Sequence, residues 1–276
     1  MPAIVVPVFR AAESTQRCLN ALARSLETLG AKVRVFVIDD GSNCARVDRV
    51  LDEAIQMNPD WTVHRRPDNR GFVHTANQGI ALADRHDVVL LNSDTIPVGD
   101  WLPRMARCAQ ACPDAASVTP FTNNGEIASI TALCEAAPLP DDPMRWAEAC
   151  QSIQPPQYPA LPTAVGFCMY LRRHCIEQIG VFDANTFGLG YGEENDWCLR
   201  ATTAGWTHRL CDDAFVAHEG HASFGPLGLK PDEQSMQRLL RLHPGYTERV
   251  DAFIQSDPIA PVRQRILERL HRADSA

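Results

Sequence analysis

Val33-Arg34-Val35-Phe36-Val37-Ile38 runs directly into Asp39-Asp40-Gly41-Ser42. The first part is a compact, β-branched apolar run, and the second is a cluster of turn formers. A run of that length bounded by turn signals reads as a strand buried on both faces. A second such run, 3–8 (AIVVPV), lies upstream. Between the two, Leu19, Leu22, Leu26 and Leu29 recur at a helical period, and Gly30 stops the helix. Strand, helix, strand in that order predicts a right-handed crossover and parallel pairing.

The alternation continues outward. A helical stretch near 44–57 is followed by a polar strand near 61–65, a helix near 72–83 and the run 87–91 (DVVLL). The expected class is α/β, with a Rossmann-like, mainly parallel sheet flanked by helices on both faces. From 120 to 162 the pattern gives way to a Pro-, Asn- and Asp-containing connection with one helix near 143–150, the kind of segment that often serves as a lid or binding loop. A strand near 163–171 and a helix at 172–179 resume order. Gly188, Gly190 and Gly192 then bracket an aromatic loop that leads into a helix from about 193, and two short β runs follow near 207–217. The tail from 231 reads as helices, with Leu239, Leu240 and Leu242, then Val262, Ile266, Leu267 and Leu270, separated by Pro244 and Pro258.

Composition narrows the function classes. The 276 residues suffice for one large domain, or a domain with an appendage, and 45% hydrophobic with 22% charged residues is ordinary for a globular chain. A net charge of −8 argues against nucleic acid as a partner, which would call for a basic stripe. An anionic small ligand stays compatible, since a divalent ion can supply local positive charge. The start, MPAIVVPVFR, lacks a basic segment followed by a long apolar stretch, and no apolar run approaches the ~20 residues that span a bilayer. The expectation is a cytoplasmic protein, peripheral to the inner membrane face at most. Ten scattered cysteines then read as reduced, mostly small hydrophobes. Cys108 and Cys112 have no second matching pair, so a structural zinc is not expected.

In open parallel sheets, ligands bind outside the carboxyl ends of the strands. Asp39 to Ser42, Arg66 to Gly71 and Asn92-Ser93-Asp94-Thr95 all fall on that rim. Each alone is compatible with a simple turn. Asp94, at the end of a buried strand, suits a hard divalent cation shared with substrate phosphates, or else caps a following helix. Glu193, Glu194 and Asp196, after Gly192 and before Trp197, start a helix. They favour its dipole, and Asp196 can pair with Arg200 four residues on. Crowded carboxylates beside a glycine-rich loop also suit a general base, with Glu194 left free to face a cleft. His218 and His221 follow a β run; either is a solvated loop histidine or completes a metal site, and His218 has the more fixed position. A carboxylate–imidazole–phosphate set suits Mn²⁺ somewhat better than Mg²⁺.

Read in order, these segments resemble the family-2 inverting glycosyltransferases of the GT-A fold over roughly residues 3–225. The matches are Ile4-Val5-Val6-Pro7-Val8-Phe9, Val37 to Ser42, Asn69-Arg70-Gly71-Phe72 running to Ala76-Asn77-Gln78-Gly79-Ile80, Leu90 to Thr95, Gly180-Val181-Phe182-Asp183, and Gly192 to Asp196. Each motif is short; the ordered set with credible spacing is specific. The resemblance implies a domain over 1–228, with a nucleotide-binding half at about 1–120 and an acceptor half at about 160–228, and a helical extension over 229–276. It places Pro7, Phe9, Asp39, Asp40, Asn69, Gly71, Asn77, Asn92, Ser93 and Asp94 on the donor side, with Asp39 or Asp40 at the base or ribose. It places Gly192, Glu193, Asp196 and Trp197 at the acceptor loop, Glu194 as the base, and Asp94 with His218 as ligands of Mn²⁺ or Mg²⁺. Two departures stand out: Asn92 replaces the first metal-motif acid, and Glu194 replaces the usual Asp.

The implied reaction moves a sugar from a nucleoside diphosphate carrier, of uridine or thymidine type, to a hydroxyl of a glycan or lipid-linked glycan. A sugar nucleotidyltransferase would instead show a Gly-rich phosphate loop where this chain has Pro7-Val8-Phe9-Arg10-Ala11. A non-catalytic binding module would tolerate loss of the acid cluster, which is present. The tail helix with Arg263, Arg265, Arg269 and Arg272 either packs on its own domain or meets a membrane surface or second copy.

Overall fold

β1 (Ala3–Val8) and β2 (Val35–Asp39) pair in parallel, Ile4 opposite Val35 through Val8 opposite Asp39, with α1 (Ala12–Leu29) between them in sequence. This is the crossover that the apolar runs imply. The structure, a computed structural model, describes residues 1–30, 32–188, 190–220 and 233–274. After β2 come α2 (Ala45–Met57), β3 (Thr62–Arg65), α3 (Phe72–Leu82), β4 (Val88–Leu91), β5 (Thr95–Pro97), α4 (Trp101–Ala111) and β6 (Ala115–Phe121). Then follow α5 (Pro143–Gln151), β7 (Ala160–Leu161), β8 (Cys168–Leu171), α6 (Arg173–Ile179), α7 (Ala184–Phe187), α8 (Glu193–Thr203) and β9 (Thr207–His218). The chain ends in α9 (Glu233–Leu242), α10 (Tyr246–Ser256) and α11 (Ala260–Asp274).

Among the described residues the strand order is β3-β2-β1-β4-β8-β6-β9-β5, with β7 on β9. β3, β2, β1 and β4 run parallel; β8 enters antiparallel between β4 and β6, and β6 pairs in parallel with β9. Alternate residues of each strand face opposite sides, and both sides are covered. Ile4, Val6, Val35, Val37, Val89 and Leu91 pack with apolar residues of α1, α2 and α4. Val5, Phe36, Ile38, Val88 and Leu90 pack with those of α3, α6 and α8. The α3 contact is so close that a Cβ on Gly79 would lie 2.1 Å from Val5 Cγ1. Seven of the ten cysteines are buried in this core.

Three elements depart from the pattern reading. β5 is too short to show a period, and it separates Asp94 from α4. The two β runs near 207–217 are one strand, because Asp212 and Asp213 do not break it. Asp212 accepts the N–H groups of Gln157 and Tyr158 at 2.9 and 3.2 Å, and Asp213 pairs with Arg104 and Arg107, each at 2.9 Å. Buried acids with such partners are tolerated where bare ones are not. The strand expected over 163–171 shrinks to Cys168–Leu171. The N–H groups of Ala164 and Val165 bond instead to the side chains of Cys198 and Thr119.

The tail packs on its own chain. Val262, Ile266 and Leu270 of α11 join the core beside α5, and Leu239 of α9 is buried with Trp197 and Phe187. Arg263 is buried and bonded to Asp257, while Arg265, Arg269 and Arg272 stay outward. The boundary expected at 228/229 lies outside the described residues. No helix among the described residues is long and apolar enough to cross a membrane.

Candidate active site

At the carboxyl ends of β1, β2 and β4 opens a cleft of about 440 Å³, within the usual range for small-molecule sites. Pro7, Phe9, Asp40, Asn69 and Gly71 line one end. Asp40 organises this end: it accepts the N–H groups of Gly71 at 2.8 Å and Arg70 at 3.0 Å, and the Arg66 guanidinium at 3.3 Å. Gly41 lets the β2 turn approach this loop. Its φ is +68°, and a Cβ there would lie 2.5 Å from the Asp68 carbonyl carbon. Two expected donor-side residues stand behind the wall rather than in it. Asp39 is buried and accepts from the Ser42 amide at 3.2 Å and from its hydroxyl; burial pushes its carboxyl up, and the Ser42 bonds oppose that. Asn77 exchanges two hydrogen bonds with the Phe182 backbone, at 2.8 and 3.1 Å, and so ties α3 to the loop before α7.

The middle of the cleft holds Asn92, Ser93, Asp94 and His218. Asp94 is not a helix cap, since β5 intervenes before α4 begins at Trp101. β5 pairs antiparallel with the end of β9, Thr95 opposite His218. That register brings Asp94 Oδ1 within 3.4 Å of His218 Nε2. The other ring nitrogen, Nδ1, donates to the Asn124 carbonyl at 2.6 Å, and the ring stacks on Phe167 with centroids 5.3 Å apart. Burial opposes a charged ring here, but the Asp94 carboxylate and the Asn124 carbonyl outweigh it and raise His218 above its ordinary value. With Nδ1–H occupied, Nε2 is the free donor atom, and it faces a carboxylate oxygen. A divalent ion replacing the shared proton fits this pair. No group of three protein ligands exists among the described residues. Two protein ligands completed by phosphate oxygens and water is the arrangement Mg²⁺ and Mn²⁺ adopt in phosphate sites. His221 lies outside the described residues.

At the far end, Gly192, with φ +99°, opens α8 and sets Glu193 and Glu194 in the first turn. Both carboxyls line the cleft, and they are hydrogen-bonded to each other. Each leaves one buried oxygen without a protein partner among the described residues. Burial raises both groups. The Glu194 charge raises Glu193 further, whereas the hydrogen bond from Glu193 holds Glu194 lower. Glu194 therefore ionises first. The other two residues expected at this loop face away. Asp196 pairs with Arg200 at 2.8 Å and with His243 at 2.9 Å, and Trp197 Nε1 donates to the Gly180 carbonyl at 3.0 Å.

Pattern reasoning passed over Asn124, Glu126, Gly166 and Phe167, which also line the cleft, and Asn123, which fixes it from behind. Asn123 exchanges bonds with the His218 backbone, both at 2.9 Å. The Asn123-Asn124-Gly125 turn at the end of β6 was the available signal, inside the segment read as a binding loop.

A cleft at the carboxyl rim of a mainly parallel sheet, holding a carboxylate–imidazole pair and a buried acid pair, marks an α/β protein with its ligand site at the strand ends. The chain belongs to glycosyltransferase family 2, whose family model (Glycosyl transferase family 2) matches residues 3–180. No curated protein matches the sequence. Solved structures with the same fold include GalNAc-T7 with UDP, GalNAc and Mn²⁺, at 14% identity and a TM-score of 0.64, covering 97% of this chain and 54% of that one. This chain thus spans about half the length of that protein. Another is the mannosyltransferase PcManGT from Pyrobaculum calidifontis with GDP-Man and Mn²⁺, at 13% identity and a TM-score of 0.57, covering 99% and 78% of the two chains. A third is TarS residues 1–349 from S. aureus, at 13% identity and a TM-score of 0.55, covering 97% and 81%. At these identities the likeness establishes the GT-A fold.

Proposed function

We propose that this chain transfers a sugar from a nucleoside diphosphate carrier, of uridine or thymidine type, to an acceptor hydroxyl in building a glycan or polysaccharide, with inversion at the anomeric carbon. The observation that carries the reading is the set of groups lining one cleft. A wall organised by Asp40, the Asp94–His218 pair and a buried base candidate all line it. In two of the fold relatives Mn²⁺ accompanies the nucleotide or sugar nucleotide; here Asp94 and His218 would hold Mn²⁺, or Mg²⁺. Such an ion, when bound, stabilises the charge that develops on the leaving diphosphate.

Pro7, Phe9, Asn69 and Gly71 hold the nucleoside end, and Asp40 keeps that loop in place. Glu194, the more acidic of its pair, accepts the proton of the acceptor hydroxyl as the oxygen attacks the anomeric carbon. The new bond forms on the face opposite the breaking bond to phosphate oxygen, and the nucleoside diphosphate departs with that electron pair. A buried carboxylate with a raised pKa suits this task near neutral pH.

The test is Glu194→Gln. Transfer should fall by about 10²–10⁴-fold. Stabilisation by nucleoside diphosphate and Mn²⁺, read as a thermal shift, should persist. Near-native turnover of the variant would remove Glu194 from the role.

A further inference from the structure

The charge of the cleft is one-sided. Asp40, Asp94, Glu126, Glu193 and Glu194 line it, and no lysine or arginine stands among its described lining residues. On the glycosyltransferase reading, on which this inference rests, a divalent ion is offset by the donor diphosphate and Asp94. Among the described lining residues nothing then remains to offset Glu126 and the Glu193–Glu194 pair. Glu126 holds its place on the rim with φ +48°, a left-handed conformation that non-glycine residues rarely adopt. Its backbone is fixed there, with its carbonyl accepting the Cys134 amide at 2.9 Å.

Within the cleft lie two buried acceptor atoms, Glu193 Oε2 and Glu194 Oε2, without partners among the described residues. Leaving such atoms unpaired is costly, so they call for donors from a ligand or water. Phe72 and Tyr191 also line the cleft, and a Cβ on Gly190 would lie 3.7 Å from Phe72 Cβ. Sugar rings present an apolar face and a hydroxyl edge, which such a wall can receive.

We propose that the acceptor is an uncharged sugar residue that places its reacting hydroxyl on Glu194 and a neighbouring hydroxyl on Glu193, and that Glu126 with this pair excludes acceptors bearing phosphate or carboxylate beside the reacting hydroxyl. Glu193 is then a specificity-determining residue, and Glu126 acts by repulsion at the rim.

The experiment gives the full chain Mn²⁺, a set of uridine and thymidine diphosphate sugars, and matched acceptors. These are the methyl glycosides of glucose, galactose, mannose and N-acetylglucosamine, each with its 6-phosphate. Transfer is followed by product mass, and donor hydrolysis without acceptor is followed in parallel. Neutral acceptors should exceed their phosphates by roughly tenfold or more in kcat/KM, as like-charge rejection implies. Glu126→Gln should narrow that ratio. Glu193→Gln should raise the acceptor KM by about tenfold, the loss of one hydrogen bond to a charged or polar carboxyl, with a smaller effect on donor hydrolysis. The proposal is overturned when phosphorylated sugars match the neutral ones, when Glu126→Gln leaves the ratio unchanged, or when neither class is used while donor is hydrolysed. Absence of both donor hydrolysis and nucleoside diphosphate binding would instead overturn the glycosyltransferase reading itself.

Discussion

His208, on β9, is 2% exposed and wedged between β6 and α8. Its Nδ1 lies 2.7 Å from the Ser117 hydroxyl and its Nε2 lies 3.0 Å from the Cys198 carbonyl. A neutral ring satisfies both contacts, accepting from Ser117 and donating to Cys198. Burial, set against the Cys198 bond, lowers its pKa from 6.5 to about 4. The unfolded chain therefore takes up the proton first as pH falls. The contribution is fully present above about pH 6.5 and is lost progressively toward pH 4. At about 1.4 kcal/mol per tenfold change in proton affinity, the loss reaches about 3 kcal/mol at the acid limit and about 2 kcal/mol at pH 5. That is a large share of the roughly 5–15 kcal/mol that holds a domain together. The assay is urea unfolding at pH 7.5 and pH 5 for the native chain and for His208→Gln. The variant starts less stable at pH 7.5, but its drop on acidification should be smaller by about 2 kcal/mol. Glu193 and Glu194 titrate in both proteins and cancel in that comparison. Equal drops in the two proteins would refute the assignment of a buried neutral ring.

Three further outcomes follow from particular contacts. Asp94→Asn removes the carboxylate facing His218 Nε2; the Mn²⁺ needed for half-maximal nucleotide stabilisation, measured by thermal shift, should rise by about 10–100-fold or more. Gly41→Ala forces a side chain against the Asp68–Asn69 backbone at positive φ. Chemical denaturation should show a loss of about 1–3 kcal/mol, with weaker nucleotide binding because the loop held by Asp40 must move. Asp213→Ala leaves the largely buried Arg104 without its inner partner and should cost on the order of 3–5 kcal/mol. Arg107→Ala removes a partner that is half exposed and should cost about 1 kcal/mol or less; urea titration ranks the two.

The first half of the chain was legible because its signals are local. The apolar runs of 3–8 and 33–38, the leucines of α1 and the polar residues at each strand end all lie within a few residues of what they specify. Asp40 and Gly71 reach the cleft because each directly follows or precedes an element whose pattern is strong. Asp39 and Asn77 show the limit of that reasoning. Asp39 sits one residue from Asp40, yet strand alternation sends its side chain to Ser42. Asn77 is on the correct helix, but its amide is consumed by the Phe182 backbone. The partner that each side chain meets separates these cases, because the residue types are the same. The division between Asp196 and Glu194 was readable, since Asp196 has Arg200 four residues on. The His243 contact from the tail was not, as nothing in either segment points to the other.

The Asp94–His218 pair is the sharper case, because the two side chains are brought together by pairing register. Thr95 sits opposite His218, and Asn123 grips both sides of the His218 backbone. A slip of one residue in that pairing would set Thr95 opposite Ala217 or Glu219 and turn His218 to the other face. What prevents the slip lies elsewhere in the strand. Asp212 and Asp213 are each committed to partners on α4 and on the segment before β7, and a shift would leave both carboxylates buried and unpaired. The two acids inside β9 thus oppose a shift of the strand that carries His218.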